Sequence, residues 1–107
     1  MRSKHKLTRL FFHHNAINVD GCIELAKLLQ RRDSKLDKLY IGYNRIDDEG
    51  VAILVDALEN NTSLRELHLE GNRGITTEGG KLLLTLVNDV SSIKATLKSN
   101  HRLWTVD

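Results

Sequence analysis

A three-fold internal repeat is the feature that most constrains how this chain folds. Residues 7–17 read L-x-x-L-x-φ-x-x-N-x-I, where φ is a large apolar residue, and residues 36–46 read the same way. Residues 64–75 repeat the pattern with one extra residue, Gly74, before the isoleucine. The copies begin 29 and 28 residues apart. A fixed period in this range indicates short structural units that stack to bury a shared core.

Three copies of this pattern in register resemble leucine-rich repeats, specifically the long ribonuclease-inhibitor-like class with units of about 28–29 residues. The resemblance covers roughly residues 5–100. It implies an α/β fold, a short solenoid with parallel β-strands on the concave face and α-helices on the convex face. Residues 91–101 are also similar to a segment that recurs in large repeat families of diatoms and related algae.

The chain is expected to form a single domain over residues 1–107. The expected units are repeats at about 7–35, 36–63 and 64–91 and a degenerate fourth at 92–107. The fourth is degenerate because Ser92 and Ala95 occupy two of its leucine positions.

Alternating apolar residues predict one strand in each repeat, within residues 8–13, 37–42 and 65–70. Side chains along a strand alternate between its two faces, so one set points into the core. That set consists of Leu10/Phe12, Leu39/Ile41 and Leu67/Leu69. Successive strands run in one direction, so the sheet is expected to be parallel, with a helix as each crossover.

The start and the buried face of each helix are also predicted. The residues suited to N-capping are Asn18, Asp47 and Thr76. Apolar residues spaced three and four apart then predict one buried helix face. Its aligned columns are Leu25/Leu54/Leu83, Leu29/Leu58/Val87, Ala26/Val55/Leu84 and Leu28/Ala57/Leu86. Cys22 aligns with Val51, which indicates a small core residue rather than a reactive thiol.

The candidate binding residues lie between the strand leucines, because they face away from the core and differ between repeats. Their columns are Arg9/Lys38/Glu66, Phe11/Tyr40/His68, His13/Glu70 and His14/Tyr43. Aromatic residues and arginine are enriched where proteins bind one another. Glycines at 42 and 71 are expected to leave the neighbouring rings open to approach. One alternative stays open: in a parallel stack, Phe11 and Tyr40 equally well serve only to pack on each other.

We predict a non-catalytic adaptor or scaffold that binds a protein partner on the concave face. The alternative is a structural subunit or fragment of a larger assembly, which docks or self-associates through the open repeat ends. Motifs such as G-x-x-x-x-G-K-[ST] and H-E-x-x-H are absent from the sequence, so no enzyme activity and no cofactor are expected. No metal site is predicted either, since the neighbouring His13 and His14 are expected to diverge rather than converge with His68 and Glu70.

Charge and hydropathy limit which class of partner and which cellular compartment are expected. The net charge of +2 does not favour nucleic acid, and the basic residues near the start are expected to be solvated. These residues are Arg2, Lys4, Lys6 and Arg9. No apolar run is long enough to span a membrane, and no signal-peptide core is present. A single cysteine excludes an internal disulfide, so an intracellular, cytoplasmic location is expected.

Each end of a repeat array exposes core residues unless something covers it. The apolar residues near the C-terminus are Leu97, Leu103, Trp104 and Val106. They are expected to fold back as a cap, or else to form an edge for a partner or a second copy.

Overall fold

The computed structural model describes residues 9–59, 61, 63–88 and 94–96. Strands and helices alternate along this part of the chain, as predicted for an α/β fold. The elements are β1 (Arg9–Phe11), α1 (Val19–Leu29), β2 (Lys38–Tyr40), α2 (Asp48–Leu58), β3 (Glu66–His68), α3 (Thr77–Asn88) and β4 (Lys94–Thr96).

The four strands form one parallel sheet in the order β1-β2-β3-β4. The register pairs Leu10 with Leu39, Leu39 with Leu67, and Leu67 with Ala95. These pairs are 29, 28 and 28 residues apart, which are the sequence offsets of the repeat. The prediction of a parallel sheet is confirmed, and Ala95 takes the position of a strand leucine in β4.

The core lies between one face of the sheet and the helices. Leu39, Ile41, Leu67 and Leu69 on the sheet are fully buried, and the helix leucines of the second and third units join them. Within the described elements, helices contact only the helices that neighbour them along the chain. Burying one such leucine contributes about 1.5–3 kcal/mol, so these columns are the main source of stability.

Two predicted core residues are exposed instead. Phe12 is 38% exposed and Leu84 is 40% exposed. Both lie in the outer units of the described region, Phe12 beyond β1 and Leu84 on α3, so no further described unit covers them. Several predicted features lie outside the described residues, namely the C-terminal cap residues and the basic residues Arg2, Lys4 and Lys6.

Two buried asparagines connect successive units. Oδ1 of Asn44 accepts hydrogen bonds from the backbone N–H groups of Asn15 and Ile17. Oδ1 of Asn72 accepts from Asn44 and Ile46 in the same way. The amide nitrogens donate to strand-end carbonyls, including those of the preceding unit. Since unpaired backbone groups are costly when buried, these amides hold the turn after each strand.

The helix starts are capped at the predicted residues. Oδ1 of Asn18 accepts from the N–H groups of Asp20 and Gly21, and Oδ1 of Asp47 accepts from Gly50. Oγ1 of Thr76 accepts from the N–H of Glu78. The third helix has an additional partner, because the N–H of Gly79 donates to the carboxylate of Asp48, in α2. A residue of one unit therefore also caps the helix of the next.

Cys22 is a core residue, as predicted. Its side chain is completely buried, and an added Cβ on Gly50 of the next helix would lie only 2.9 Å from its sulfur. Burial first, and the Asp47 carboxylate second, raise the pKa of the Cys22 thiol from 9.0 to about 11.

We expect Cys22 to resist thiol-specific reagents in the folded protein at pH 8. The thiolate is the reactive form, and a pKa raised by two units lowers its population about 100-fold. Burial slows the reaction further. The rate of labelling by a disulfide reagent, measured with and without urea, checks this. Native labelling as fast as labelling in urea contradicts the burial of this thiol.

Candidate functional site

The face of the sheet that points away from the helices carries the candidate binding residues. On β2, Lys38 and Tyr40 flank the buried Leu39, and on β3, Glu66 and His68 flank the buried Leu67. We call this surface the open sheet face. It consists of Arg9, Phe11, His13, Lys38, Tyr40, Glu66, His68 and Glu70.

Three rings stack across the strands of the open sheet face. The ring centroids of Phe11 and Tyr40 are 4.5 Å apart with an interplanar angle of 4°. Tyr40 and His68 are also 4.5 Å apart, at 12°. His13 lies against Tyr40 at 5.7 Å. Phe11 nevertheless stays 60% exposed, because it is the outer ring of the stack. Phe11 therefore packs on Tyr40 and still leaves its own ring available for contact.

A second pair of rings lies at the turn that follows the strands. His14 and Tyr43 stack at 4.9 Å and 11°. The expectation that Gly71 leaves room beside a ring is wrong, because the Tyr43 ring fills that room: a Cβ at Gly71 would clash with it. Tyr43 lies between His14 and the Gly71 backbone, yet it is still 46% exposed.

The turn positions of these two rings share a left-handed backbone. His14 has φ 60° and Tyr43 has φ 55°, while Gly71 takes the equivalent position with φ 79°. Left-handed conformation costs about 1–2 kcal/mol for a residue other than glycine. A bulky tyrosine held there is uncommon, and such strain clusters at binding sites.

The charges of the open sheet face form a chain across β2 and β3. Nζ of Lys38 lies 3.3 Å from Glu66, and Glu66 lies 2.8 Å from Nε2 of His68. The hydrogen bond with His68 lowers the pKa of the Glu66 carboxyl from its usual value, and Lys38 acts in the same direction. Oε1 of Glu70 differs, because it is buried without a hydrogen bond, and His68 Nδ1 lies 4.0 Å away. His68 is therefore the basic group that lies beside this buried oxygen.

Over the described ranges, no group of three or more histidine, cysteine, aspartate or glutamate side chains is arranged to hold a metal ion. Arg9 forms no ion pair with any described residue and is exposed at the β1 edge. No helix in the described part of the chain is long and apolar enough to cross a membrane.

Two exposed arginines were not among the sequence candidates. Arg45 and Arg73 directly follow the repeat asparagines Asn44 and Asn72, and both line a cavity beside Tyr43. The signal was present in the sequence as two arginines 28 residues apart in register. These arginines lie in the turn beyond the strand, where the alternation of a strand no longer indicates side-chain direction.

Comparison with known proteins agrees with the internal repeat. The family model described as Leucine Rich repeat matches residues 33–54 and 60–84, and each segment contains a strand and most of a helix. No curated protein matches the chain. Leucine-rich repeats generally mediate protein–protein interaction. Over residues 33–54 and 60–84, the chain is therefore similar to leucine-rich repeats.

Proposed function

We propose that this protein is a non-catalytic adaptor or scaffold whose open sheet face binds a protein partner. The proposal includes a single solenoid domain of the ribonuclease-inhibitor-like class, with this face on its concave side. Support for the solenoid comes from the in-register parallel strands and from helices that contact only their neighbours along the chain. The 28–29-residue spacing supports the class. A lone buried cysteine supports an intracellular, cytoplasmic location.

The observation that carries the proposal is the exposure of Phe11 at the outer end of the ring stack. An apolar ring that stays in water gains free energy when a partner covers it. The stack fixes the ring orientation of Tyr40 in advance, because rings lie against both its faces. A side chain that is already ordered loses less conformational entropy on binding.

Charge indicates what the partner offers. Arg9 is exposed at the β1 edge and forms no ion pair with any described residue, so an acidic group of the partner is able to approach it. The partner segment we expect carries an apolar or aromatic residue over Phe11 and an acidic residue over Arg9.

The size of the face limits the partner's footprint. Four strands spaced about 4.8 Å apart span roughly 15 Å. That width matches a short extended segment or a single helix, and it is too narrow to enclose a globular partner.

We expect Phe11→Ser to weaken partner binding at least tenfold, because aromatic anchors at interfaces contribute about 2 kcal/mol or more. The binding partner is first captured from the native source with the full chain and identified, and its affinity is then measured by calorimetry. Tyr40→Ala extends the test to a second ring of the stack.

Ile23→Ser is the matched control, since Ile23 is 40% exposed but lies on α1, away from the open sheet face. The proposal fails if the Phe11 and tyrosine variants bind as tightly as the unaltered chain, or if the Ile23 variant weakens binding as much as they do.

A second candidate function is that of a structural subunit that docks through the end of the array. The observation that favours it is an apolar cavity of about 510 Å³ at the outer side of the first unit. It is lined by Leu10, Phe12, Ile17, Leu25 and Leu28, among others. In the next unit, the equivalent residues Leu39, Ile41 and Ile46 are fully buried. Light scattering during size-exclusion chromatography tests self-association, and a monomer at all concentrations argues against this form of docking.

A further inference from the structure

A cavity at the edge where the strands run into the helix starts belongs neither to the open sheet face nor to the apolar end. Its volume is about 490 Å³. The residues that line it are Tyr43, Asn44, Arg45, Gly71, Arg73 and Gly74. It lies between the second and third units, because residues 43–45 follow β2 and residues 71–74 follow β3.

Two of the residues that line this cavity are arginines. Arg45 and Arg73 occupy equivalent positions one unit apart, 28 residues along the chain. Both are exposed, and neither side chain forms an ion pair or a hydrogen bond with any described residue. An anion in this cavity would therefore meet two positive charges that no described carboxylate pairs with.

The carboxylates nearest the cavity are already engaged elsewhere. Oδ1 of Asp47 accepts from the N–H of Gly50, at 3.0 Å. Oδ1 of Asp48 accepts from the N–H groups of Thr76 and Gly79, at 2.8 and 3.1 Å. These acids lie at helix starts, where the partial positive charge of the helix dipole favours a negative group. Neither acid is among the residues that line the cavity.

Tyr43 adds an uncharged donor to the same cavity. Its ring is fixed between His14 and the Gly71 backbone, and its hydroxyl makes no hydrogen bond with any described residue. Gly71 and Gly74 form part of the cavity wall. The cavity thus offers three donor groups, namely two guanidinium groups and one hydroxyl. A carboxylate has only two oxygens to accept from them. A phosphate monoester has three free oxygens and a double negative charge, so it matches these donors better.

We propose that Arg45, Arg73 and Tyr43 form a binding site for a phosphate monoester. The first repeat lacks this site, because Ala16 stands where the other two repeats have arginine. The site is separate from the ring stack of Phe11, Tyr40 and His68. Its failure would leave the proposed partner binding on the open sheet face intact.

The test titrates the full chain with phenyl phosphate and follows the amide signals of Arg45, Gly71, Arg73 and Gly74 by NMR. We expect saturable shifts in the millimolar range, with benzoate binding more weakly. Arg45→Gln and Arg73→Gln are each expected to weaken binding about fivefold, because exposed ion pairs contribute up to about 1 kcal/mol. The double variant is expected to show no saturation.

Arg65→Gln is the matched control, since Arg65 is an exposed arginine whose Nε lies 3.6 Å from Asp37, away from the cavity. Thermal unfolding verifies that each variant is folded. The proposal is overturned if the unaltered chain shows no saturable shifts, if the double variant still binds, or if Arg65→Gln weakens binding as much as Arg45→Gln. A phosphoserine peptide and free phosphoserine then identify the source. Tighter binding of the peptide indicates a phosphorylated protein, and equal binding indicates a small phosphate ester.

Discussion

Replacing Leu54 with alanine is expected to lower the free energy of unfolding by about 3–4 kcal/mol, within the range known for buried leucines. Leu54 is fully buried at the centre of α2, the helix that contacts both α1 and α3. The cavity left behind would therefore remove contacts from two inter-helix interfaces. For a domain of this size the loss corresponds to a melting temperature lower by roughly 10–20 °C. Urea titration and thermal melting followed by circular dichroism measure both quantities.

Leu84→Ala provides the matched control, since it is the same substitution on a helix. Leu84 is 40% exposed, so less apolar surface returns to water and no enclosed cavity forms. We expect a loss below about 1 kcal/mol. Equal losses for the Leu54 and Leu84 variants would contradict the placement of the core between the inner sheet face and α2.

The residues that recur in every unit are the part of the fold that sequence predicts well. Leu39 and Leu67 are buried as expected, because the same neighbours flank them on both sides in a parallel stack. Phe12 and Leu84 have the same periodicity, but burial depends on a neighbouring unit as well as on the residue's own position. Periodicity in one sequence carries no information about what covers the outer units.

The repeat pattern also does not predict contacts between units that depend on a single pair of residues. The carboxylate of Asp48 accepts from the N–H of Gly79 in the first turn of α3, in addition to the cap that Thr76 provides. Gly71 fits a left-handed turn, but a side chain there would also clash with the Tyr43 ring packed against it. The two contacts join residues 31 and 28 apart, and they depend on atomic geometry that no repeat pattern encodes.

For the candidate site, alternation along the strands predicts that Phe11, Tyr40 and His68 share one face, and their rings do stack there. What it left open was whether Phe11 and Tyr40 pack together or remain available. The structure shows that the two are compatible, because Phe11 stacks on one side and stays 60% exposed. Arg45 and Arg73 were missed because they lie in a turn, where side-chain direction follows from the backbone conformation rather than from a period of two.

Replacing Asn72 with alanine is expected to destabilise the protein by about 3 kcal/mol or more, since each buried polar group left unpaired costs about 1–3 kcal/mol. Asn72 is completely buried. Its Oδ1 accepts from Asn44 and Ile46, and its Nδ2 donates to the carbonyls of Ile41 and Leu69. Alanine deprives all four backbone groups of this partner and leaves a cavity that is too enclosed for easy solvation. Urea titration gives the free energy.

Asn15→Ala separates this effect from the general cost of losing an asparagine in a turn. Asn15 occupies the equivalent position in the first unit, but its side chain donates one exposed hydrogen bond, to the carbonyl of His13. We expect that variant to lose less than about 1 kcal/mol, because water replaces an exposed hydrogen bond at little cost. If the two asparagine variants were equally stable, the buried amide would not be what holds one unit to the next. If Asn72→Ala alone unfolds the chain, stacking through this side chain is a condition for the fold, and the open sheet face depends on it.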